Sequence, residues 1–303
     1  MPLVSMSHLL ADATRGGYAV CYCESWNMES LEAVIQAAEE LRSPIIAGFN
    51  GGFLMHTERA KPASLAYYAG LALALRHTTA PVAFLLNETD SFTQIEEGIA
   101  LGFNAVMVEN DHLRAEEYTR LVKRVTGIAH PQGVSVEAQI GRLPHGSGNF
   151  SAQPTDPERA RAFVEETAVD ALSVAVGNVH ILTEGKATVD LRALERIREA
   201  VQVPLVLHGG TGIPLEMARD CIRRGVAKVN FGTALKQAYL EAVREKLRAY
   251  QAPMSPHPFL GMGGSQDIIM AGAEAVKMKT KMLLQAFGSV GKAGNQPENR
   301  LSI

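Results

Sequence analysis

Cysteine and tryptophan are both scarce in this chain, with three of the first and one of the second among 303 residues. The thiols Cys21, Cys23 and Cys221 match no disulfide framework and are expected to stay reduced, as in a cytoplasm. Cys21 and Cys23 lie inside an apolar run, so their simplest reading is a pair of core thiols. A basic excess is missing too. Lys and Arg number 29 against 32 Asp and Glu, a net charge of -3, which argues against nucleic acid or an anionic membrane as the main partner. No apolar stretch reaches the roughly 20 residues of a membrane-spanning helix. The N-terminus lacks the basic region, apolar segment and cleavage site of a signal peptide, and the expected location is cytoplasmic. Neither a repeat of constant period nor a low-complexity linker divides the chain. What remains is ordinary globular material, 47% hydrophobic and 20% charged, ample for a full core.

Short β-branched runs alternate with longer amphipathic segments about eight times. The runs predict strands at 19–23, 44–49, 81–86, 105–108, 134–140, 171–176, 204–207 and 227–231. Between the first two, Met28, Leu31, Val34, Ile35, Ala38 and Leu41 recur at helical spacing. Eight successive βα units predict a (β/α)8 TIM barrel, an α/β fold, rather than an open doubly wound sheet. The open sheet would want a glycine fingerprint after its first strand, where this chain reads Cys23-Glu-Ser-Trp-Asn27. Residues 1–303 are read as one barrel domain. Within it, 252–287 form a loop and a last helix from about Gln266 to Phe287, and 288–303 form a frayed tail.

Barrels of this kind carry their chemistry where the strands end, at the carboxyl face. The residues there are Glu24, Asn50, Asn87 with Glu88, Glu109 with Asn110, Glu137 with Gln139, His180, His208 and Asn230, all polar. A neutral imidazole is a good ligand for zinc and related ions, and a carboxylate completes a three-ligand site open to substrate. His180, His208 and Glu88 are therefore the candidate metal ligands. A single histidine is more simply a hydrogen-bonded structural residue, but two at successive strand ends favour ligation. After His208 comes Gly-Gly-Thr-Gly212, and after the last strand Asn230-Phe-Gly-Thr233. Two glycine turns with hydroxyls, after strands seven and eight, suit a phosphate held by backbone N–H groups. His145, in the glycine-rich stretch 141–149, is placed to bring an acid/base group on a closing loop, and a plain surface loop fits that stretch equally well.

Several of these segments together resemble the class II, metal-dependent fructose-bisphosphate and tagatose-bisphosphate aldolase family: Ser43-Pro-Ile-Ile46, Gly102-Phe-Asn-Ala-Val-Met107, Ser135-Val-Glu-Ala138, Val176-Gly177 with His180, Pro204 to Pro214, and Lys228 to Thr233. The resemblance implies that His180 and His208 hold a divalent metal, usually zinc, and that Gly209, Thr211, Gly232 and Thr233 hold a ketose phosphate. Asn230 would meet the substrate's carbonyl end. It also implies reversible aldol cleavage through an enediolate stabilised by the metal, and a homodimer or homotetramer. Apolar residues of the last helix, among them Ile268, Met270, Met278 and Met282, offer surface for self-association or for packing on the barrel itself.

The departures fall on proton transfer. The family's strand-three His-any-Asp-His reads Leu85-Leu86-Asn87-Glu88 here, so an amide stands where the family has its catalytic acid. Glu88 in a ligand position shifts preference from zinc somewhat toward manganese, iron or cobalt. Gln139 replaces the second acid of the family's Val-Glu-Ala-Glu motif, Ile181 replaces the glycine after the strand-six histidine, and Cys23-Glu24 replaces a Phe-Asn pair. Glu24, Glu109 and His145 become the acid/base candidates, His145 first for its pKa near neutrality. The expected activity is a lyase on a phosphorylated ketose. The alternatives are an isomerase or epimerase on the same site and a non-catalytic sugar-phosphate binder.

Overall fold

The structure is a computed structural model that describes residues 3–109, 112–144, 146 and 153–294. Eight parallel strands close into a barrel in sequence order: β1 (Val20–Ser25), β2 (Ile45–Asn50), β3 (Val82–Thr89), β4 (Ala105–Val108), β5 (Ser135–Ile140), β6 (Ala171–Val174), β7 (Leu205–Leu207) and β8 (Val226–Phe231). β8 returns to β1 with Val20 opposite Lys228 and Tyr22 opposite Asn230, which completes the ring. The helices, in chain order, begin with α1 (Met6–Gly16), α2 (Met28–Glu40), α3 (Gly51–Leu54) and α4 (Leu65–Gly70). They continue through α5 (Phe92–Ala100), α6 (Ala115–Ala129), α7 (Pro157–Thr167), α8 (Leu191–Ala200), α9 (Leu215–Arg223), α10 (Thr233–Leu247) and α11 (Ile268–Ala286). Every expected strand is present, with ends displaced by a few residues.

Strand alternation splits the core in two. Outward residues such as Cys21, Cys23, Phe84, Leu86 and Val229 pack under the helices, and both strand-one thiols are buried there. Inward residues Val20, Ile46, Ala83, Leu85, Met107 and Val206 fill the barrel's lower half together with Met6, Leu9, Leu10 and Ala13 of α1. The sequence reading did not anticipate α1, although positions 6, 9, 10 and 13 have the spacing of one helical face. This helix plugs the amino end of the barrel, so the open end lies opposite.

The expected carboxyl-terminal helix is present, and the residues just after it are held more closely than expected. The last helix starts at Ile268, capped by Asp267, whose Oδ1 accepts the Ile269 N–H at 2.9 Å. It packs on α10 and α2. The following residues are not frayed as far as they are described. Ser289 is buried against Ser43, and the N–H groups of Gly291 and Ala293 donate to Leu41 and Arg42. Residues 295–303, the rest of the expected tail, lie outside the described residues.

Candidate active site

β3 runs further than its apolar stretch indicates, to Thr89, with a register shift against β4 between Leu86 and Thr89. Within that irregularity Glu88 has φ +50°, a left-handed conformation uncommon away from glycine. Two amides steady its carboxylate. Asn87 Nδ2 donates to Oε1 at 2.7 Å, and Asn50 Nδ2 donates to Oε2 at 2.5 Å. Asn50 is itself anchored, since its Oδ1 accepts the Phe53 N–H and caps α3.

His180 and His208 converge on this carboxylate. Glu88 Oε1 lies 3.3 Å from His180 Nε2 and 3.3 Å from His208 Nδ1. One donor atom from each of the three falls within 4.8 Å of the others, the spacing of ligands around a single cation. Burial works to raise the Glu88 pKa, but the two imidazoles outweigh it and hold the carboxyl well below the ordinary range. For His180 burial pulls downward, and Glu88, helped by Glu109 and Glu24, overrides it to about 9.

His208 is completely buried, and its far nitrogen is committed. Nε2 stands 3.0 Å from Glu137 Oε1 and 2.9 Å from the Asn230 amide. The other Glu137 oxygen accepts from Lys228 Nζ at 2.7 Å, and both partners have no exposed side-chain surface. Metal-bound histidines characteristically give their second nitrogen to such a carboxylate. His208 Nδ1, on the Glu88 side, is buried without a hydrogen bond. Two imidazoles, one carboxylate and a ring oriented from behind therefore fit a divalent cation.

The two glycine turns share a cavity of about 230 Å³ with this cluster. Glu24, Glu88, His180, Gly209, Thr211, Asn230, Gly232 and Thr233 all line it. Gly209 has φ +69°, and a Cβ there would lie 2.0 Å from the Val179 carbonyl oxygen, so only glycine lets the β7 turn pass beside the His180 segment. Thr211 Oγ1 accepts the Ala234 N–H at 3.1 Å, which ties that turn to the first turn of α10.

Ile181 lies in the same wall with φ +52° and its side chain 38% exposed as a residue. A β-branched residue in the left-handed region costs on the order of 1–3 kcal/mol. Ile181→Gly is expected to stabilise the fold by up to about 2 kcal/mol, the strain relieved less the larger entropy glycine loses on folding. Denaturant midpoints check this. A destabilised variant would mean that the isoleucine side chain contributes more by packing than the backbone loses in strain.

The proposed proton-transfer residues land unequally. Asn87 is buried and serves as a donor to Glu88. Glu24 faces the cavity but is ion-paired to Lys236. Glu109 lines a neighbouring groove between α6 and α7, and its charge still reaches His180. His145 lies outside the described residues. Its neighbours clasp the His180 main chain, with His180 N–H donating to Pro144 O and Gly146 N–H to His180 O. The sequence reading missed Lys236 and the roles of Asn50, Glu137 and Lys228. Alternation held a signal for Lys228, which shares the inward face of β8 with Asn230.

The fold is a (β/α)8 barrel with a candidate three-ligand metal site at its mouth, and the comparisons name the family. Residues 4–292 match the family described as fructose-bisphosphate aldolase class-II. The fructose-bisphosphate aldolase of Geobacillus stearothermophilus is 34% identical over 296 residues, covering 97% of this chain and 99% of that one. Its counterpart in Staphylococcus epidermidis is 33% identical over 301 residues, covering 97% of this chain and all of the relative. Among solved structures, the YdjI aldolase of Escherichia coli K12 superposes with a TM-score of 0.81 at 31% identity, covering 96% of this chain and 100% of that one. The protein belongs to the class II aldolase family.

Proposed function

We propose that this protein is a metal-dependent carbon–carbon lyase that cleaves and re-forms a phosphorylated ketose by aldol chemistry. The observation that carries the reading is the convergence of Glu88, His180 and the buried His208 beside the cavity that both glycine turns line. Those three residues would hold the cation, with zinc first and manganese, iron or cobalt as the metals a carboxylate ligand also suits. When bound, the cation supplies Lewis-acid polarisation of the ketose carbonyl. Backbone amides at Gly209, Thr211, Gly232 and Thr233 would take the phosphate, and the Asn230 amide would meet the carbonyl end.

In the cleavage direction the hydroxyl proton on the carbon that becomes the aldehyde must leave as the carbon–carbon bond breaks. Asn87 cannot accept it. Glu24 lies against Gly232 at the phosphate cradle, so His145 and Glu109 are the groups to which the reading gives that proton. The amide at position 87 also favours a second reading, an isomerase or epimerase, which needs no such transfer to a departing aldehyde. No described helix is long and apolar enough to cross a membrane. A homodimer or homotetramer is part of the proposal, supported by exposed Met270, Met278 and Met282 on α11, as is a cytoplasmic location.

The test is a screen of phosphorylated ketoses for aldehyde release by the metal-loaded protein. Release that stops on chelation and returns with added cation is expected. Turnover that yields only an isomeric sugar would move the assignment to the second reading, and turnover indifferent to chelation would overturn the metal-dependent one.

A further inference from the structure

Among the charged groups on the cavity wall, Lys236 has no part in the cation cluster. It lies in the first turn of α10, one turn beyond Thr233, and its ammonium meets the Glu24 carboxylate coming from the end of β1. Two aromatic rings border the ammonium, with the Phe53 centroid 4.4 Å from Nζ and that of Trp26 at 6.0 Å. Such rings attract a cation by their negative faces and restrict where it points. The lysine is a third exposed while the carboxylate is almost wholly buried, so the pair has an open side and a closed side.

The closed side lies against the anion cradle. Glu24 Oε2 occupies the space beside Gly232, where a Cβ would come within 2.3 Å of it. The backbone of Gly232 has φ −124°, outside the left-handed region, and the close approach of Glu24 leaves no space for a side chain at 232. A resident carboxylate therefore stands at the edge of the amides at Gly232 and Thr233. Burial pushes the Glu24 carboxyl up, against the pull of Lys236. An incoming phosphate would be repelled by Glu24 and drawn by Lys236, and the second of these is the more exposed.

We propose that Lys236 is a specificity-determining residue that receives the anionic end of the substrate, and that Glu24 is its resident counter-ion, which the substrate's phosphate displaces from the ammonium. This rests on the reading of the two glycine turns as a phosphate cradle. It assigns Glu24 to charge balance and not to proton transfer. The carboxylate weakens the cradle's hold on small anions in the free protein and sharpens the demand for a ligand held by the cation cluster as well.

Titration calorimetry of the metal-loaded protein with inorganic phosphate tests the assignment, alongside metal content for every variant. Lys236→Ala is expected to weaken phosphate binding at least tenfold, Lys236→Arg to restore most of it, and Glu24→Gln to tighten it about threefold or more, all with metal content unchanged. For a cleaved ketose phosphate, Lys236→Ala raises KM more than it lowers kcat. Lys236→Ala binding phosphate as the unmodified protein does would overturn the assignment, as would Glu24→Gln weakening phosphate as much as the lysine variant. A protein that binds neither metal nor phosphate before any substitution would instead sink the broader lyase proposal.

Discussion

His208→Ala is expected to release the cation and cut aldol turnover by about a thousandfold or more. Lewis-acid polarisation contributes several kcal/mol to such reactions, and each 1.36 kcal/mol is a factor of ten in rate. The residue is a sensitive place to test because its ring links two layers. Nδ1 faces Glu88 in the cavity, and Nε2 faces Glu137 behind it. The fold should survive the change, because the main chain at 208 is held separately. Asn178 Nδ2 donates to the His208 carbonyl at 3.0 Å, and the Glu137–Lys228 pair persists without the imidazole. Circular dichroism confirms folding, and metal analysis with turnover reads the loss. Full turnover by a folded, metal-free His208→Ala protein would remove the ring from the mechanism.

Glu137→Leu is expected to have the largest effect on stability. It leaves Lys228 without its paired carboxylate inside the barrel, with no exposed side-chain surface and with the Tyr22 ring, 5.2 Å from Nζ, and the charge of Glu88 as weaker attractions. Breaking a buried pair in this way costs about 3–5 kcal/mol. The double variant Glu137→Leu/Lys228→Leu should recover most of that, since a well-packed apolar pair commonly matches a buried ionic one. Metal affinity should behave differently. It falls roughly 10–100-fold in both variants, because His208 Nε2 has lost the carboxylate that orients it. Chemical denaturation and metal titration on the two proteins separate the effects. If the double variant regained metal affinity along with stability, Glu137 would be a structural charge and not a support for the ligand.

The barrel was legible because each strand announces itself by composition and each crossover by helical period. Val134 to Ile140 and Pro204 to Leu207 read as strands without any knowledge of their neighbours. Strand ends were legible for the same reason, and with them Glu88, His180 and His208. What lay beyond reading was set by tertiary contact. The φ of Glu88 follows from the bulge between β3 and β4, which no local pattern encodes. The Glu24–Lys236 pair joins residues 212 positions apart, and neither residue type is unusual in its own segment. α1 escaped because its apolar face is short and preceded by no strand, although its spacing was regular. The anchoring of 289–293 depends on main-chain bonds to Leu41 and Arg42, which a polar composition does not foreshadow.

The central claim is that one cation sits between two imidazoles and a carboxylate at the carboxyl mouth of the barrel. X-ray absorption spectroscopy of the purified, metal-loaded protein, quantified for metal per chain, tests it most directly. The expected result is one divalent ion per chain with two nitrogen neighbours at about 2.0–2.1 Å for zinc and oxygen completing the set, the nitrogen signal falling in His180→Ala. A stoichiometric ion without imidazole neighbours, or active protein that carries no ion, would contradict the account.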